Sequence, residues 1–529
     1  MATSTKNKAS SFLLSRWLNE AADKRGNAKA LVYRDTYLSW RGLLHRVERR
    51  AQEFRAMGLG DGAWVGLMLG NVPDFVILAL ALSRVGAVIV PIDPTTATRE
   101  LDLMLEAAPL RALITRPRGG PEAQAPDARA LSPAPLAKRD IAESRRRLQG
   151  TLLTCSVYKR DTPKIVEGTE IVLFTSDSAG DPKGVIRTSD NLKAEADKVA
   201  AALELDGEAK ILAAVPLFHA YGFDLGLLSA MNTGAVLFLE DEIAPKRIAK
   251  ILRDHGVDVV PGTPQLYADL AKIPTARPLK TKNARFLAAG AKLGEATAQA
   301  FHDKYGVRLM SCYHTSETGF VALDRKGQSP DTVGKLSDAI EVRLTAVVSH
   351  AAPAPDAAKA EAPAGKKKSA KAEAAAAAAA ASPDEGVIWV RGKSVSQAAI
   401  SPFAAPSVKP SAKAAQVPIG GRDTEGFLRT GDIGRLDKSG RLQLLGREDD
   451  LVKVDGKRVA LGEVEGCLES FPKVKAAQAM VITDPLTGPM VVARVVARGS
   501  VEAEEIIDHC ARNLAPYKVP RRIEFCEVI

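Results

Sequence analysis

Apolar and polar positions along this chain follow two periods, helical and alternating, and the chain switches between them repeatedly. In residues 39–69, SWRGLLHRVERRAQEFRAMGLGDGAWVGLML, apolar residues first recur at helical spacing, with Ser39 as the cap candidate. A Gly-rich turn follows, and the apolar run 64–69 predicts a buried strand. The next pair is a helix over 74–82 and a strand over 87–90. The long apolar run 75–90 is broken by Arg84 and stopped by Pro91, so it predicts helix then strand and no transmembrane span. Near the N-terminus Leu13, Leu14, Trp17, Leu18 and Ala21 share one helical face, as a docking helix requires. Arg16, Asn19 and Glu20 interrupt that stretch and argue against a signal peptide.

The alternation continues. Residues 171–174 form an apolar β-rich run, Val185 and Ile186 a second, and a hydroxyl-, Gly- and Lys-bearing loop joins them as a strand-to-strand turn. Thr175, Ser176 and Ser178 offer hydroxyl donors, Gly180 and Gly184 allow close backbone approach, and Lys183 supplies a mobile ammonium. These suit a polyphosphate. The loop is not a P-loop, because GxxxxGK[ST] is missing and no helix pattern opens at the lysine; a polar surface hairpin is the plainer alternative. A helix over 191–205, a strand over 211–215 and a turn at 216–222 (PLFHAYG, with His219) come next. LAAGAKL (287–293) reads as a strand end with a small-residue turn at Gly290 and Ala291, and helices alternating with apolar strands indicate an α/β fold.

The pattern fails at 351–382, a Pro-, Lys- and Ala-rich tract with no apolar face wide enough to pack. Strand-like stretches at 340–344 and 387–390 flank it, so it reads as a flexible insertion in a β-hairpin. Deleting 351–382 is expected to leave melting temperature and turnover nearly unchanged; a large drop in melting temperature would make the tract part of the fold. Residues 117–136 and 401–418 read as irregular. Order returns at 427–465, where turns at 438–440 and 455–456 mark successive hairpins.

Composition changes this picture little. The 529 residues allow three or four packed units, and the net charge of +10 comes from separated clusters (138–147, 366–368, and Arg512, Lys518, Arg521 and Arg522) without interleaved aromatics. A solvated surface is favoured over a nucleic-acid groove. Five scattered cysteines without a CxxC pair argue against a disulfide framework or zinc site, and for a reducing, cytoplasmic compartment.

The loop at 171–188 resembles the TSGSTGxPKG signature of the adenylate-forming superfamily, which comprises acyl-CoA synthetases, luciferases and amino-acid-activating domains. Asp177 and Ala179 depart from it, and a carboxylate beside a triphosphate is repulsive. SRVGAVIVPIDP (83–94) is similar to a structural motif of the same family. LMSCYHTSETG (309–319) resembles its YGxTE motif, with His314 in place of Gly. The resemblance implies that Tyr313 stacks on adenine, Ser316 contacts phosphate and Glu317 ligates magnesium. It places PLFHAYG in the pocket for the acid, with His219 as the residue to watch, and Gly290 where substrate or nucleotide passes the backbone. In 427–465 it assigns Asp432 to the ribose hydroxyls, Arg447 to the nucleotide, Asp449 to a hinge, and Lys453 with Gly456 to the face used for thioester formation.

By this resemblance the chain is a large N-terminal multi-subdomain α/β domain (1–448) and a small mobile C-terminal α+β domain (449–529). The activity implied is ATP-dependent conversion of a carboxylic acid, fatty or aryl, to acyl-AMP and then transfer to coenzyme A, with magnesium and with catalytic weight on Lys183, His219, Glu317 and Lys453. Acyl-AMP ligation to a carrier protein and a weakened nucleotide-binding homologue are the alternatives. Residues 515–529 resemble the approach to the family's last motif, and the sequence stops at Ile529 before a matching lysine, from which slow acyl-AMP formation is expected.

Overall fold

The computed structural model describes the chain from Phe12 onward except 97–100, 102–103, 105–107, 109, 117–143, 159–165, 177–181, 275–283, 346–383, 401–415, 419–420, 449–450, 455–456, 485–487, 515–517 and 528–529. The expected loop at 117–136, the tract at 351–382, and Asp177, Ser178, Ala179, Gly180, Asp449 and Gly456 therefore lie outside the described residues. The rest divides into two compact units, Met1–Glu341 with Arg391–Leu428, and Val342–Val390 with Arg429–Ile529.

Period-2 alternation builds the first unit. In strand Trp64–Met68, Val65 and Leu67 point into one core while Trp64 and Met68 point into another. Thr169–Ser176 does the same, with Ile171 and Leu173 on one side and Val172 and Phe174 on the other. Sheets buried on both faces read as continuous apolar runs, which is why 64–69 and 171–174 lack a polar face. The sheet holding these strands runs Gln416–Pro418, Ala398–Ile400, Pro182–Thr188, Thr169–Ser176, Val88–Ile92, Trp64–Met68, Ala112–Thr115, Thr154–Val157, Ser144–Arg147. The strand over 87–90 extends through Pro91 to Ile92, with Pro91 opposite Leu67. Gln416–Pro418, in a stretch expected to be irregular, pairs antiparallel with Ala398–Ile400; tertiary pairing supplies the order that its composition does not.

A second sheet of this unit runs Gly334–Leu336, Gly319–Leu323, Leu309–Thr315, Arg285–Ala288, Val259–Gly262, Lys210–Ala213, Val236–Leu239, Lys29–Tyr33, Thr36–Ser39. Helices Leu13–Arg25, Trp40–Ala56, Pro73–Val85 and Ser189–Leu203 share one core with residues of both sheets. Ser39 caps its helix as expected, accepting from Gly42 N at 3.1 Å. Thr188 and Asn191 form a capping box that starts the next helix at Ser189, two residues before the expected 191. All five residues of the expected docking face, Leu13 to Ala21, are buried.

In the second unit, strands Glu341–Thr345, Glu385–Arg391, Leu428–Leu436 and Arg441–Arg447 are neighbours in that order, so the strands flanking 346–383 do lie side by side. Leu451–Val454 pairs antiparallel with Lys457–Ala460, as the turn at 455–456 required. Val474–Asp484, Gly488–Ala497 and Arg522–Phe525 form a separate sheet whose core includes Val464 and Leu468 of helix Leu461–Glu469 and Ile506 and Cys510 of helix Ala503–Asn513. No helix among the described residues is long and apolar enough to cross a membrane.

Candidate active site

Parallel strands bring the sequence candidates of the first unit to one edge. Lys210–Ala213, Val259–Gly262, Arg285–Ala288 and Leu309–Thr315 pair parallel in adjacent positions. Ligands of open α/β sheets sit beyond the carboxyl ends of such strands. The segments leaving those ends carry His219, Gly290, Ser316 and Glu317. Gly290 takes φ +86°, a value that favours glycine, and no atom of the described residues lies within 4 Å of where a Cβ would stand, which leaves room for a ligand beside the backbone.

The phosphate-loop candidates come from the other sheet. Thr169–Ser176 and Pro182–Thr188 pair antiparallel with Thr175 opposite Lys183, so the strands on either side of the expected turn are neighbours and the lysine lies on a strand. Thr175 Oγ1 donates a long 3.5 Å bond to the Lys183 carbonyl. Ser176 ends its strand. Lys183 Nζ reaches Glu317 Oε1 at 3.3 Å, and both side chains keep about a quarter of their surface exposed (25% and 24%), enough for a ligand to meet them. The Glu317 turn is held by its own backbone: Ser396 N donates to the Glu317 carbonyl (2.8 Å), and Thr315 Oγ1 accepts from Thr318 N (3.1 Å). Ser316 sits in that turn partly exposed, and Tyr313 is buried in the strand before it.

The turn expected at 216–222 continues directly into helical structure, Ala220–Gly222, then a π-helical turn Phe223–Leu228, then Ser229–Thr233. Buried Asn71 pins its entry, donating to the carbonyls of Ala213 and Val215 (both 3.0 Å) and accepting from Leu217 N (2.7 Å). His219 keeps an open edge, yet surrounding atoms strip part of its hydration and lower its pKa below 6.5 despite the opposing attraction of Asp93. Between the folded and unfolded pKa values the unfolded chain binds the extra proton, so His219 subtracts stability as pH falls below about 6.5. An NMR titration is expected to place the His219 midpoint below 6.5, and His219→Gln to flatten stability against pH in that window; a midpoint at or above 6.5 would contradict this.

In the second unit Asp432 faces Arg447 across the hairpin, and Arg447 Nη1 donates to Asp432 Oδ1 at 3.0 Å. Thr430 Oγ1 accepts from Asp432 N (3.1 Å) and donates to the Ile388 carbonyl (2.9 Å), fixing the carboxylate's strand. Lys453 lies on strand Leu451–Val454 opposite Arg458.

Sequence reading missed Arg187, Glu195, Asp224 and Lys198, a group of charges buried next to this site. The signal was partial: Asp224 is the single charge inside the apolar run FDLGLL, and Arg187 directly follows the apolar pair Val185 and Ile186. A lone charge there needs a buried partner, but its partner is distant in sequence.

Known proteins resemble the chain along nearly its full length. A family model described as "AMP-binding enzyme" matches residues 18–357, and one described as "AMP-binding enzyme C-terminal domain" matches 463–529. A feruloyl-CoA synthase of Amycolatopsis sp is 26% identical over 521 residues, covering 97% of this chain and 95% of that protein. ATP-bound MatB from Rhodopseudomonas palustris superposes with a TM-score of 0.74 at 20% identity, covering 98% of this chain and 95% of that one. O-succinylbenzoate coenzyme A synthetase (MenE) from Bacillus subtilis, in complex with ATP and magnesium ion, gives 0.72 at 22% identity, covering 97% and 96%.

Proposed function

Since the chain belongs to the AMP-binding enzyme family, we propose that it activates a small carboxylic acid with ATP and passes the acyl group to coenzyme A. In the first half-reaction a carboxylate oxygen bonds to the α-phosphorus as the bond to the bridging oxygen breaks, giving acyl-AMP and pyrophosphate. In the second the CoA thiolate bonds to the acyl carbon and AMP leaves with the electron pair on its phosphate oxygen.

The observation that carries this reading is the 3.3 Å approach of Lys183 and Glu317 from two different sheets. Phosphoryl-group chemistry of this kind is largely positioning and charge neutralisation, and a partly exposed ammonium beside a partly exposed carboxylate suits both. Lys183 holds phosphate oxygens. Glu317 suits magnesium, which takes one or two carboxylates together with phosphates and water: it is a hard oxygen donor, only partly buried, with Oε2 unengaged among the described residues. Bound there, magnesium would offset phosphate charge. Ser316 contacts phosphate, Tyr313 flanks the adenine and Gly290 lets the ligand pass the backbone. Asp432 accepts from the ribose hydroxyls, with Arg447 orienting its carboxylate, and His219 lines the acid pocket as a neutral imidazole. Lys453 serves the thioester step.

Pyrophosphate release from a panel of fatty and aryl acids, followed by assay for thioester, tests the proposal. Release that requires ATP, magnesium and one class of acid is expected, with thioester on CoA. No acid-dependent release would end the enzyme reading; thioester only on a carrier protein would replace the acceptor.

A further inference from the structure

Three charged or titratable side chains that the proposed chemistry does not touch meet behind Lys183 and Glu317. Arg187 and Asp224 are fully buried and pair at 3.0 Å through Arg187 Nη1 and Asp224 Oδ2. The same Oδ2 lies 3.0 Å from His314 Nε2, whose side chain is 2% exposed. A carboxylate stripped of water is costly unless paired, and here two donors from two different strands converge on one oxygen. Arg187 sits four residues after Lys183 on strand Pro182–Thr188, hence on the same strand face. His314 is on Leu309–Thr315, which runs straight into the Glu317 turn. Asp224 belongs to the π-helical turn, an irregularity that recurs where a side chain must be aimed.

The far side of the Glu317 turn is gripped too. Glu195 Oε1 accepts from Phe320 N at 2.8 Å, and Glu195 Oε2 pairs with Lys198 at 2.7 Å. Lys198 Nζ donates to Ser394 Oγ (2.7 Å), which donates to the Thr318 carbonyl (3.1 Å). Gly319 takes φ +68°, and a Cβ there would stand 2.0 Å from Glu195 Oε2, so the carboxylate reaches the turn only because the residue is glycine. Glu195, Asp224 and His314 have ligand atoms within 4.8 Å of one another, a spacing a metal could use. Both carboxylates already balance Arg187 and Lys198, however, and a divalent cation would enter beside two fixed positive charges.

We propose that Asp224 and His314 are positioning residues for adenylation: Asp224, bound to Arg187 and to His314 through one oxygen, ties the strand of Lys183 to the strand that leads into the Glu317 turn and sets the distance between the two groups. This rests on the reading that Lys183 and Glu317 hold Mg·ATP. Removing Asp224 would strand a buried guanidinium and unfold the chain for reasons unrelated to positioning, so the tie is cut at its other end. His314→Ala leaves the Arg187–Asp224 pair in place, and His314→Gln restores a donor to Asp224.

Calorimetric titration with Mg·ATP is the readout. His314→Ala is expected to weaken binding about tenfold, the loss that goes with one hydrogen bond to a charged group. His314→Gln should recover most of it. In a Lys183→Ala background His314→Ala should add little, because the tie acts through Lys183. If His314→Ala does not fold, His314→Leu fills the volume and carries the same expectation. Wild-type protein that binds no Mg·ATP overturns the functional reading itself. Wild-type protein that binds, with His314→Ala binding equally well, with the two losses simply adding, or with no recovery by glutamine, overturns the tie alone.

Discussion

Replacing Lys183 or Glu317 by alanine is expected to lower kcat/KM for acid-dependent pyrophosphate release by about 10²–10³-fold, the usual loss for one preorganised charge contact, while the protein stays folded. Neither side chain belongs to a core: each keeps about a quarter of its surface exposed (25% and 24%). Their strands are held by backbone pairing and by the buried Arg187–Asp224 bond, which these substitutions leave alone. Because the two groups touch, their losses should not add; the double variant should fall well short of the product of the single effects. Activity is read by pyrophosphate release and folding by circular dichroism. A folded double variant with undiminished activity would remove this site from the reaction.

Glu170→Ala is expected to destabilise the first unit by about 3–5 kcal/mol, the cost of breaking a buried charged hydrogen-bond network. Helix Leu13–Arg25 has no side-chain cap of its own. Fully buried Glu170, 157 residues away in sequence, caps it instead, accepting from Leu13 N at 2.9 Å and Leu14 N at 3.0 Å. The carboxylate also accepts from Ser83 Oγ (2.7 Å) and Ser189 Oγ (2.8 Å), so one residue joins the first helix, the helix Pro73–Val85 and the start of Ser189–Leu203. Removing it takes the acceptor from two helix N–H groups and from the buried Ser83 and half-buried Ser189 hydroxyls, and removes a carboxylate from a helix N-terminus. Glu170→Gln keeps one acceptor oxygen and should cost less. Urea denaturation at constant m-value measures both; a loss below about 1 kcal/mol for alanine, the net worth of one ordinary hydrogen bond, would contradict the argument.

Glu170 and Lys183 illustrate different degrees of legibility. Lys183 stood out because Gly, hydroxyl and Lys residues crowd a short break between two apolar runs, and Glu317 because it falls in a motif with the right neighbours. Local composition marked both, and the fold brought them together. Glu170 lies between Thr169 and Ile171 at the edge of a strand and has no local mark at all. Asn71 is equally silent: its three hydrogen bonds go to residues 142 to 146 positions away.

What the sequence determined by itself were the properties set by near neighbours. The continuous apolar runs at 64–69 and 171–174, helical spacing after Ser39 and at Leu13 to Ala21, and the Gly turn at 438–440 each depend on a few consecutive side chains, and the elements formed where those patterns required. The tertiary structure alone decided the pairings. Strand Gln416–Pro418 has order because Ala398–Ile400 lies beside it, and the expected turn before Gly222 becomes helical because Asn71 and Asp224 have partners there. His314, which stands where the family motif has Gly, turns inward to Asp224. A buried charge costs several kcal/mol unless its partner is supplied, and these partners come from strands and helices far apart in the chain; only folding brings them within 3.0 Å.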